Sequence, residues 1–173
     1  VDFTNGAQTK EPFLTVNPKG RVPALATPDG IITETGALLD YIAAVSDLAM
    51  PKDAFAAAKL RELSYYLASM MHVNHAHKLR GSRWADLESS HADMKAKVPE
   101  TMAGCCAYLE ETLTLDPFVG DDVSVVDGFL YTVLNRIPRD GLDLHAYPKL
   151  AAYADMMRAR PSVQAVVAKG LLT

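Results

Sequence analysis

The chain has 173 residues, 49% of them hydrophobic, and a formal net charge of −4. This size and composition are enough for a real core, in one domain or in two small ones. The acidic balance argues against nucleic acid, which requires a basic face, and gives no reason to expect an anionic membrane surface. No apolar run approaches the roughly 18 residues of a membrane span. We therefore expect neither nucleic acid nor a membrane among the partners.

The cysteines, Cys105 and Cys106, are adjacent in sequence. Adjacent residues of a helix point about 100° apart, which makes them a poor metal pair and a poor disulfide. We expect them to be small buried hydrophobes of a helix. Free thiols of this kind fit a reducing, cytoplasmic location.

The first part of the chain predicts a small sheet followed by a helix. Val1–Phe3 is typical of a strand end, and Val22-Pro23 of a strand entry at which a cis bond is affordable. Pro28-Asp29-Gly30 predicts a tight turn, and Ile31-Ile32 a short strand. Thr33 is then expected to cap a helix. The apolar residues of that helix fall at helical spacing: Leu38, Tyr41, Ile42 and Val45.

Residues 46–53 are expected to be a linker, with Asp53 capping the helix that follows. From there to the end the pattern is helical. A helix over 54–80 would bury Phe55, Leu60, Leu63, Leu67 and Met70 or Met71. A second helix over 88–114 contains Pro99. A final short helix is expected after Pro161, capped by Ser162.

A capping box is predicted at Ser124-Val-Val-Asp127, before a helix from Val125 to Asn135. The Ser124 hydroxyl would accept a hydrogen bond from the backbone of Asp127, and the Asp127 carboxylate would bind back to Ser124. Such a box satisfies donors that the first turn of a helix otherwise leaves open.

Together these motifs resemble the glutathione S-transferases, closest to the bacterial, beta-like type. The resemblance rests on the NPKG lead-in at Asn17, on Val22-Pro23, on Glu34-Thr35 a dozen residues later, and on the Ser124 box. It implies an α+β two-domain fold, with a thioredoxin-like glutathione-binding domain before an all-helical one. The domains would span residues 1–46 and 53–173. The family's first strand and first helix have no counterpart in 1–46, so we expect them in a segment before Val1.

The resemblance also implies a glutathione site. With a cis proline, the backbone N–H and C=O of Val22 would pair with the cysteinyl unit of glutathione as an added strand. Glu34 would bind the γ-glutamyl ammonium, and Thr35, at a helix N-terminus, its carboxylate. Arg21 would bind the glycyl carboxylate. The alternatives are an ordinary strand-entry proline, an ordinary helix start and a solvated charge, and the last is the expectation for Lys10 and Lys19.

In the bacterial relatives a histidine at the position of His72 faces the cleft that holds the electrophile, between the domains. Val73 stands where some relatives have lysine. His72, His75 and His77 do not share one helical face, so we expect no metal. Trp84 is expected to stack on an arginine or to pack between domains, with a substrate wall as the alternative.

The activity implied is conjugation of the glutathione thiolate to a small hydrophobic electrophile, as a homodimeric detoxification enzyme. The residue that contacts the sulfur is unknown and expected in the segment before Val1. One alternative is a non-catalytic binding or scaffold protein of the same fold, which often loses Val22-Pro23 or the Glu34-Thr35 pair. Another is a glutathione-dependent disulfide reductase, if the contacting residue is cysteine. Retention of both motifs favours the enzyme.

Overall fold

The computed structural model describes residues 1–46, 48 and 50–172. The chain divides into two compact units, Val1–Met50 and Pro51–Thr173. The first contains a small sheet and helices, and the described residues of the second contain helices and loops but no strand. This is the fold class that the sequence predicted.

An antiparallel hairpin forms the sheet of the first unit. Strand β1 spans Ala24–Thr27 and strand β2 spans Gly30–Thr33, with Ala24 opposite Thr33 and Thr27 opposite Gly30. The predicted turn is confirmed, and it is stabilised by the Thr27 hydroxyl, which donates to the Gly30 carbonyl at 2.8 Å. Helix α1 spans Phe13–Val16 and helix α2 spans Thr35–Val45. The chain therefore leaves β2 and enters α2 with Glu34 alone between them.

The strand predicted at Val1–Phe3 is wrong, because local hydrogen bonds fold this segment into a turn. The Asp2 carboxylate accepts from the Thr4 backbone N–H at 2.9 Å and from the Thr4 hydroxyl at 2.6 Å. It also accepts from the Asn5 side chain at 3.0 Å. A short side chain that binds its own backbone in this way competes with an extended strand.

The cap predicted at Thr33 is also wrong. Thr33 is the last residue of β2, and its hydroxyl accepts a hydrogen bond from Lys19 Nζ at 2.9 Å. The position before the helix is occupied by Glu34, which makes no side-chain cap within the described residues. The first turn of α2 thus keeps its backbone donors open.

The predicted linker at 46–53 includes residues 47 and 49, which lie outside the described residues. The cap at Asp53 is confirmed, since its Oδ1 accepts from the Ala56 backbone N–H at 2.8 Å. Helix α3 begins at the next residue.

The second unit contains the long helices that the periodicity predicted. Between α3 and α4 the segment Leu67–Met71 is a wide, π-helical turn, so the predicted helix over 54–80 is continuous but not uniform. The α-helices are α3 at Ala54–Tyr66, α4 at His72–Leu79, α5 at Glu88–Thr112, α6 at Val125–Leu134, α7 at Pro148–Ala159 and α8 at Pro161–Ala168. Short 3-10 helices are at Ala7–Thr9, Gly81–Arg83, Ile137–Asp140 and Leu144–Ala146.

The buried face of α3 differs from the prediction at one position. Phe55 is 75% exposed, whereas Ala57, Leu60 and Leu63 are buried. Residues two apart on a helix do not face the same side, so the face that starts at Ala57 excludes Phe55. The cap predicted at Ser162 is wrong as well, because α8 begins with Pro161 and the cap position is Arg160.

Buried side chains of α5 and α6 form much of the core of this unit. Cys105 and Cys106 are both free and buried, as predicted. Burial raises the pKa of the Cys106 thiol to about 12. The largest fully buried apolar residues of the two helices are Met102, Leu109, Leu130, Leu134, Val98 and Val126.

Two carboxylates hold helix starts in this unit. The box is confirmed, since Asp127 Oδ2 accepts from the Ser124 backbone N–H at 2.8 Å, and Asp127 Oδ1 accepts from the Tyr153 hydroxyl at 2.7 Å. Glu110 reaches from α5 to the start of α7, where its oxygens accept from the backbone N–H groups of Lys149 and Leu150 at 2.8 and 3.0 Å. Such bonds satisfy backbone N–H groups of the first helical turn, which have no partner within the helix itself.

Candidate functional site

The loop before β1 is shaped by Asn17, a residue that sequence reasoning did not single out. Its side chain is 1% exposed, its Nδ2 donates to the Arg21 carbonyl at 2.5 Å, and its Oδ1 accepts from the Lys19 backbone N–H at 3.2 Å. Gly20 between them has φ +61, and a Cβ there would lie 3.2 Å from the Gln8 carbonyl oxygen. Asn17 therefore sets the path of the chain into Val22-Pro23.

The Val22-Pro23 peptide bond is cis, as expected for this position. β1 begins only at Ala24, so Val22 lies outside the pairing of the hairpin and is 41% exposed. Its backbone is thus at the open end of a two-stranded sheet. An open edge of this kind accepts an extended peptide as an added strand.

Glu34 and Thr35 lie at the same end of the hairpin. Because Ala24 is opposite Thr33, the next positions outward are Pro23 and Glu34. Ala24 and Thr33 are the last pair of the ladder, so the residues before β1 and those after β2 leave it at the same end of the sheet. The structure therefore brings Val22-Pro23 and Glu34-Thr35 together, although a dozen residues separate them in sequence.

Glu34 has an unusual backbone conformation, with φ 74 and ψ 126. A positive φ costs a residue with a Cβ on the order of 1 kcal/mol or more. This conformation lets the chain turn from β2 directly into α2. Strained backbone of this kind is concentrated at functional sites, because the surrounding structure must hold it.

Lys19 contacts the residues at this helix start. Its Nζ forms an ion pair with the Glu34 carboxylate and donates to the Thr33 hydroxyl. The hydrogen bond from Lys19, together with its charge, holds the pKa of Glu34 below its usual value. Sequence reasoning expected Lys19 to be a solvated charge, and the structure gives it a partner. Lys10 donates to the Asn5 carbonyl at 2.7 Å, and Arg21 is exposed.

His72 belongs to the second unit, where it begins α4 and is partly buried. Burial lowers the pKa of His72, and neighbouring positive charges lower it further. In order of decreasing effect these neighbours are Arg136, His75, Arg80 and Arg83. The neutral form of the imidazole is therefore favoured.

The three histidines of this segment have separate environments. His75 Nδ1 lies 2.7 Å from Asp140 Oδ1, and the His77 ring packs edge-on against Trp84 with centroids 4.5 Å apart. Among the described residues, no three His, Cys, Asp or Glu side chains are placed to hold a metal ion. Trp84 is 47% exposed, and its recorded ring contact is with His77 instead of an arginine. The described residues also include no helix long and apolar enough to cross a membrane.

In chemical terms the site of the first unit suits a small zwitterionic peptide. The open backbone at Val22 can pair with a peptide backbone, the Glu34 carboxylate can bind an ammonium group, and the N–H groups of the first turn of α2 can bind a carboxylate. Each group is provided by a different element, and the hairpin register brings the elements together.

Comparison with known proteins supports this reading of the first unit. Residues 1–44 match the family model for the glutathione S-transferase N-terminal domain, and residues 75–170 match the model for the C-terminal domain. A glutathione S-transferase of Escherichia coli O157:H7 is 30% identical over 165 residues, covering 92% of this chain and 79% of the relative.

Solved structures give the same result. A glutathione transferase homologue from Sulfitobacter, with bound glutathione, is 52% identical with a TM-score of 0.95, covering 99% of this chain and 85% of that one. A beta-class enzyme of Sphingomonas chungbukensis is 30% identical with a TM-score of 0.80, covering 97% and 85% of the two chains. From its motifs, its fold and these matches together, the chain belongs to the glutathione S-transferase family.

Proposed function

We propose that this protein binds glutathione at the open end of the hairpin in its first unit and transfers the thiolate to a small hydrophobic electrophile. The observation that carries the proposal is the juxtaposition of Val22-Pro23 with Glu34-Thr35 by the hairpin register. The similarity to a glutathione S-transferase of Escherichia coli O157:H7 and to a homologue that holds glutathione supports it.

Each end of glutathione has a complementary group in this unit. The N–H and C=O of Val22 pair with the cysteinyl unit, as an added strand. Glu34 binds the γ-glutamyl ammonium, and Thr35, through its backbone N–H and hydroxyl, binds the γ-glutamyl carboxylate. Arg21, exposed beside Val22, binds the glycyl carboxylate. Because the ligand is held at both ends and along its backbone, the direction of its sulfur is fixed.

The transfer forms a bond from sulfur to an electrophilic carbon, while a leaving group departs with its electron pair. The thiol proton passes to solvent. A free thiol has a pKa near 8.5, so only about a few per cent is ionised at neutral pH. When the thiol is bound as a thiolate and held in a fixed direction, the reaction barrier no longer includes the free energy of ionising the thiol or of orienting it. His72, partly buried and favoured in its neutral form, lines the electrophile site in this proposal.

The wider organisation follows the family. We propose that residues 1–46 are the thioredoxin-like glutathione-binding domain, that residues 53–173 are the all-helical domain, and that the protein is a cytoplasmic homodimer with a role in detoxification. The free thiols Cys105 and Cys106 are consistent with a reducing compartment. Phe55 and Tyr108, 75% and 47% exposed, provide apolar surface for a second copy. Sedimentation velocity of the purified protein tests the dimer.

The decisive experiment is calorimetric titration of the intact protein with glutathione, alongside Glu34→Ala. Loss of a charge-assisted pair of about 1.5–3 kcal/mol is expected to weaken binding by about 10- to 100-fold. Glu11→Ala is the matched control, since Glu11 is an exposed glutamate of the same unit whose carboxylate binds Thr15. The control is expected to bind like the unaltered protein.

A well-folded protein that does not bind glutathione, or a Glu34→Ala variant that binds equally well, would contradict the proposal. Binding without conjugation of any electrophile would instead identify a non-catalytic member of the family. Release of glutathione disulfide from a mixed-disulfide substrate would identify a reductase.

A further inference from the structure

Asn17 begins the loop that enters β1, and each of its polar groups is bonded to nearby backbone. Its N–H donates to the Phe13 carbonyl at 2.9 Å, and its own carbonyl accepts from the Gly20 N–H at 2.9 Å. In the side chain, Oδ1 accepts from the Lys19 N–H at 3.2 Å and Nδ2 donates to the Arg21 carbonyl at 2.5 Å. Asn17 therefore connects α1 to the last residues of the loop.

The two side-chain bonds of Asn17 place different demands on the residue type. The bond from the Lys19 N–H to Oδ1 is an Asx turn, which needs only a short side chain with an acceptor. The bond from Nδ2 to the Arg21 carbonyl needs a donor that reaches four residues along the chain, and aspartate has no such donor at neutral pH. Asn17 is 1% exposed, so both bonds are made inside the loop.

The Arg21 carbonyl belongs to the same peptide group as the Val22 N–H. This peptide is trans, so its C=O and N–H point in opposite directions. Because Asn17 holds the carbonyl oxygen on the buried side of the loop, the Val22 N–H points to the opposite side. Among the hydrogen bonds of the described residues, none is donated by the Val22 N–H, and Val22 is 41% exposed. A side chain five residues earlier thus directs an open main-chain donor.

The rest of the loop constrains this peptide less. The strand pairing begins at Ala24, so the ladder does not hold Val22. On the other side Gly20 has φ +61, and a residue without a Cβ has wide conformational freedom. The orientation of the Val22 N–H therefore depends on the bond between Asn17 and the Arg21 carbonyl.

We propose that Asn17 is a positioning residue for the peptide ligand. By holding the Arg21 carbonyl, it directs the Val22 N–H at the cysteinyl carbonyl of glutathione. The inference rests on the proposed function, in which Val22 pairs with the cysteinyl unit, and it adds a residue that acts through Val22 instead of contacting the ligand. A donor that is already oriented requires no reordering on binding, so the ligand binds more tightly than to a donor that must turn.

The test is Asn17→Ser with two ligands, titrated into the intact protein and followed by NMR. A serine hydroxyl can still accept from the Lys19 N–H but does not reach the Arg21 carbonyl. The ligands are glutathione and γ-glutamylmethylamide, which keeps the γ-glutamyl end and the amide N–H but lacks the cysteinyl carbonyl. Asn17→Ser is expected to weaken glutathione binding about 3- to 10-fold and to leave γ-glutamylmethylamide within about twofold.

Two control variants isolate the effect of the Asn17 amide. Asn5→Ser makes the same change at an exposed asparagine of the same unit, whose amide donates to Asp2 at 3.0 Å, and is expected to bind both ligands like the unaltered protein. In an Arg21→Gln background, Asn17→Ser is expected to cause the same further loss of glutathione binding, because the effect passes through the Arg21 backbone. A merely structural role for Asn17 would weaken both ligands together and leave the ratio of their affinities unchanged.

A second substitution keeps the test valid should Asn17→Ser fold poorly. Asn17→Asp retains the shape of the side chain and the acceptor for Lys19, but it presents an oxygen to the Arg21 carbonyl in place of a donor. It is expected to lower the ratio of the two affinities in the same way as Asn17→Ser.

The direction of the Val22 N–H is measured without any ligand, by its residual dipolar coupling in the isotope-labelled, aligned protein. Asn17→Ser is expected to change this coupling while those of β1 and β2 stay the same, and Asn5→Ser is expected to leave it unchanged. If the unaltered protein does not bind glutathione, the proposed function fails, whereas a changed coupling still supports the positioning role of Asn17. An unchanged coupling, or a ratio of affinities that is the same in the variants at Asn17 and the unaltered protein, overturns the inference.

Discussion

Helices α2 and α6 begin in opposite ways. At α6 the Ser124 hydroxyl accepts from the backbone N–H groups of Val126 and Asp127, and the Asp127 carboxylate binds back to Ser124. At α2 the chain passes through Glu34 at a positive φ, and no side chain among the described residues caps the first turn. One helix start is buried and satisfied, and the other is exposed and open.

The difference separates a stability element from a binding element. Backbone donors that are already bonded, as at α6, have nothing to offer a ligand, and removing their partners leaves buried groups unsatisfied. Open donors at an exposed helix start lose little by their exposure, because water binds them, and they remain available to an anion. Substitutions at the start of α6 should therefore lower the stability of the fold, and substitutions at the start of α2 should weaken glutathione binding.

The largest effect is expected for Asp127→Ala. The Asp127 carboxylate is 0% exposed and accepts from the Ser124 and Val119 backbone N–H groups, the Ser124 hydroxyl and the Tyr153 hydroxyl. Loss of this buried network is expected to lower the free energy of unfolding by roughly 3–5 kcal/mol, measured by urea denaturation. Asp122→Ala, in an exposed loop, is the control and is expected within about 0.5 kcal/mol of the unaltered protein. A loss below about 1 kcal/mol for Asp127→Ala would remove the distinction between the two helix starts.

A smaller effect is expected for Ser124→Ala, which removes the cap and keeps the carboxylate. Loss of a side-chain cap should cost about 1–2 kcal/mol of unfolding free energy, by the same denaturation measurement. Thr132→Ala is the control within the same helix, because its hydroxyl binds the Gly128 carbonyl in mid-helix and caps nothing. Equal losses for the two variants would show that the cap itself contributes little.

At α2 the expected effect on stability is smaller, and it differs between two substitutions of Glu34. Glu34→Gly relieves the positive φ, whereas Glu34→Ala keeps it, so the glycine variant should be more stable than the alanine variant by about 0.5–1 kcal/mol. Both variants should weaken glutathione binding to the same extent, because both lack the carboxylate. Thermal denaturation and calorimetric titration of the pair measure the two properties. An alanine variant as stable as the glycine variant would count against backbone strain at this position.

The smallest effect expected is a shift in pH dependence in Lys19→Met. The hydrogen bond and charge of Lys19 lower the pKa of Glu34, so in the unaltered protein the carboxylate stays charged to a lower pH. Binding that needs this charge is present above the folded pKa and is lost as pH falls through it. Without Lys19 the pKa of Glu34 should rise towards its usual value, and glutathione binding should be lost at a higher pH than in the unaltered protein. Both proteins are titrated at each pH, so the ionisation of glutathione itself affects them equally and drops out of the comparison. Identical pH midpoints for the two proteins would show that Lys19 does not act on Glu34.

The sequence predicted those features that are decided within a few residues. The turn at Pro28-Asp29-Gly30, the cap at Asp53 and the box at Ser124 depend on side chains that bind their own neighbouring backbone, and all three are confirmed. The cap at Thr33 was wrong by one residue, because the Thr33 hydroxyl accepts from Lys19, 14 residues away. Phe55 was placed on a buried face because periodicity gives the spacing of that face without its phase.

By itself, then, the sequence determined the local chemistry of this protein: its turns, its helix caps, the cis proline at Val22-Pro23 and the motifs of the glutathione S-transferase family. Only the tertiary structure decided which residues meet. It paired Lys19 with Glu34 and brought Asp140 to His75 across 65 residues. Local motifs depend on rotamers and backbone angles that a few neighbours fix, whereas these contacts depend on how whole elements pack, which no short stretch of sequence encodes.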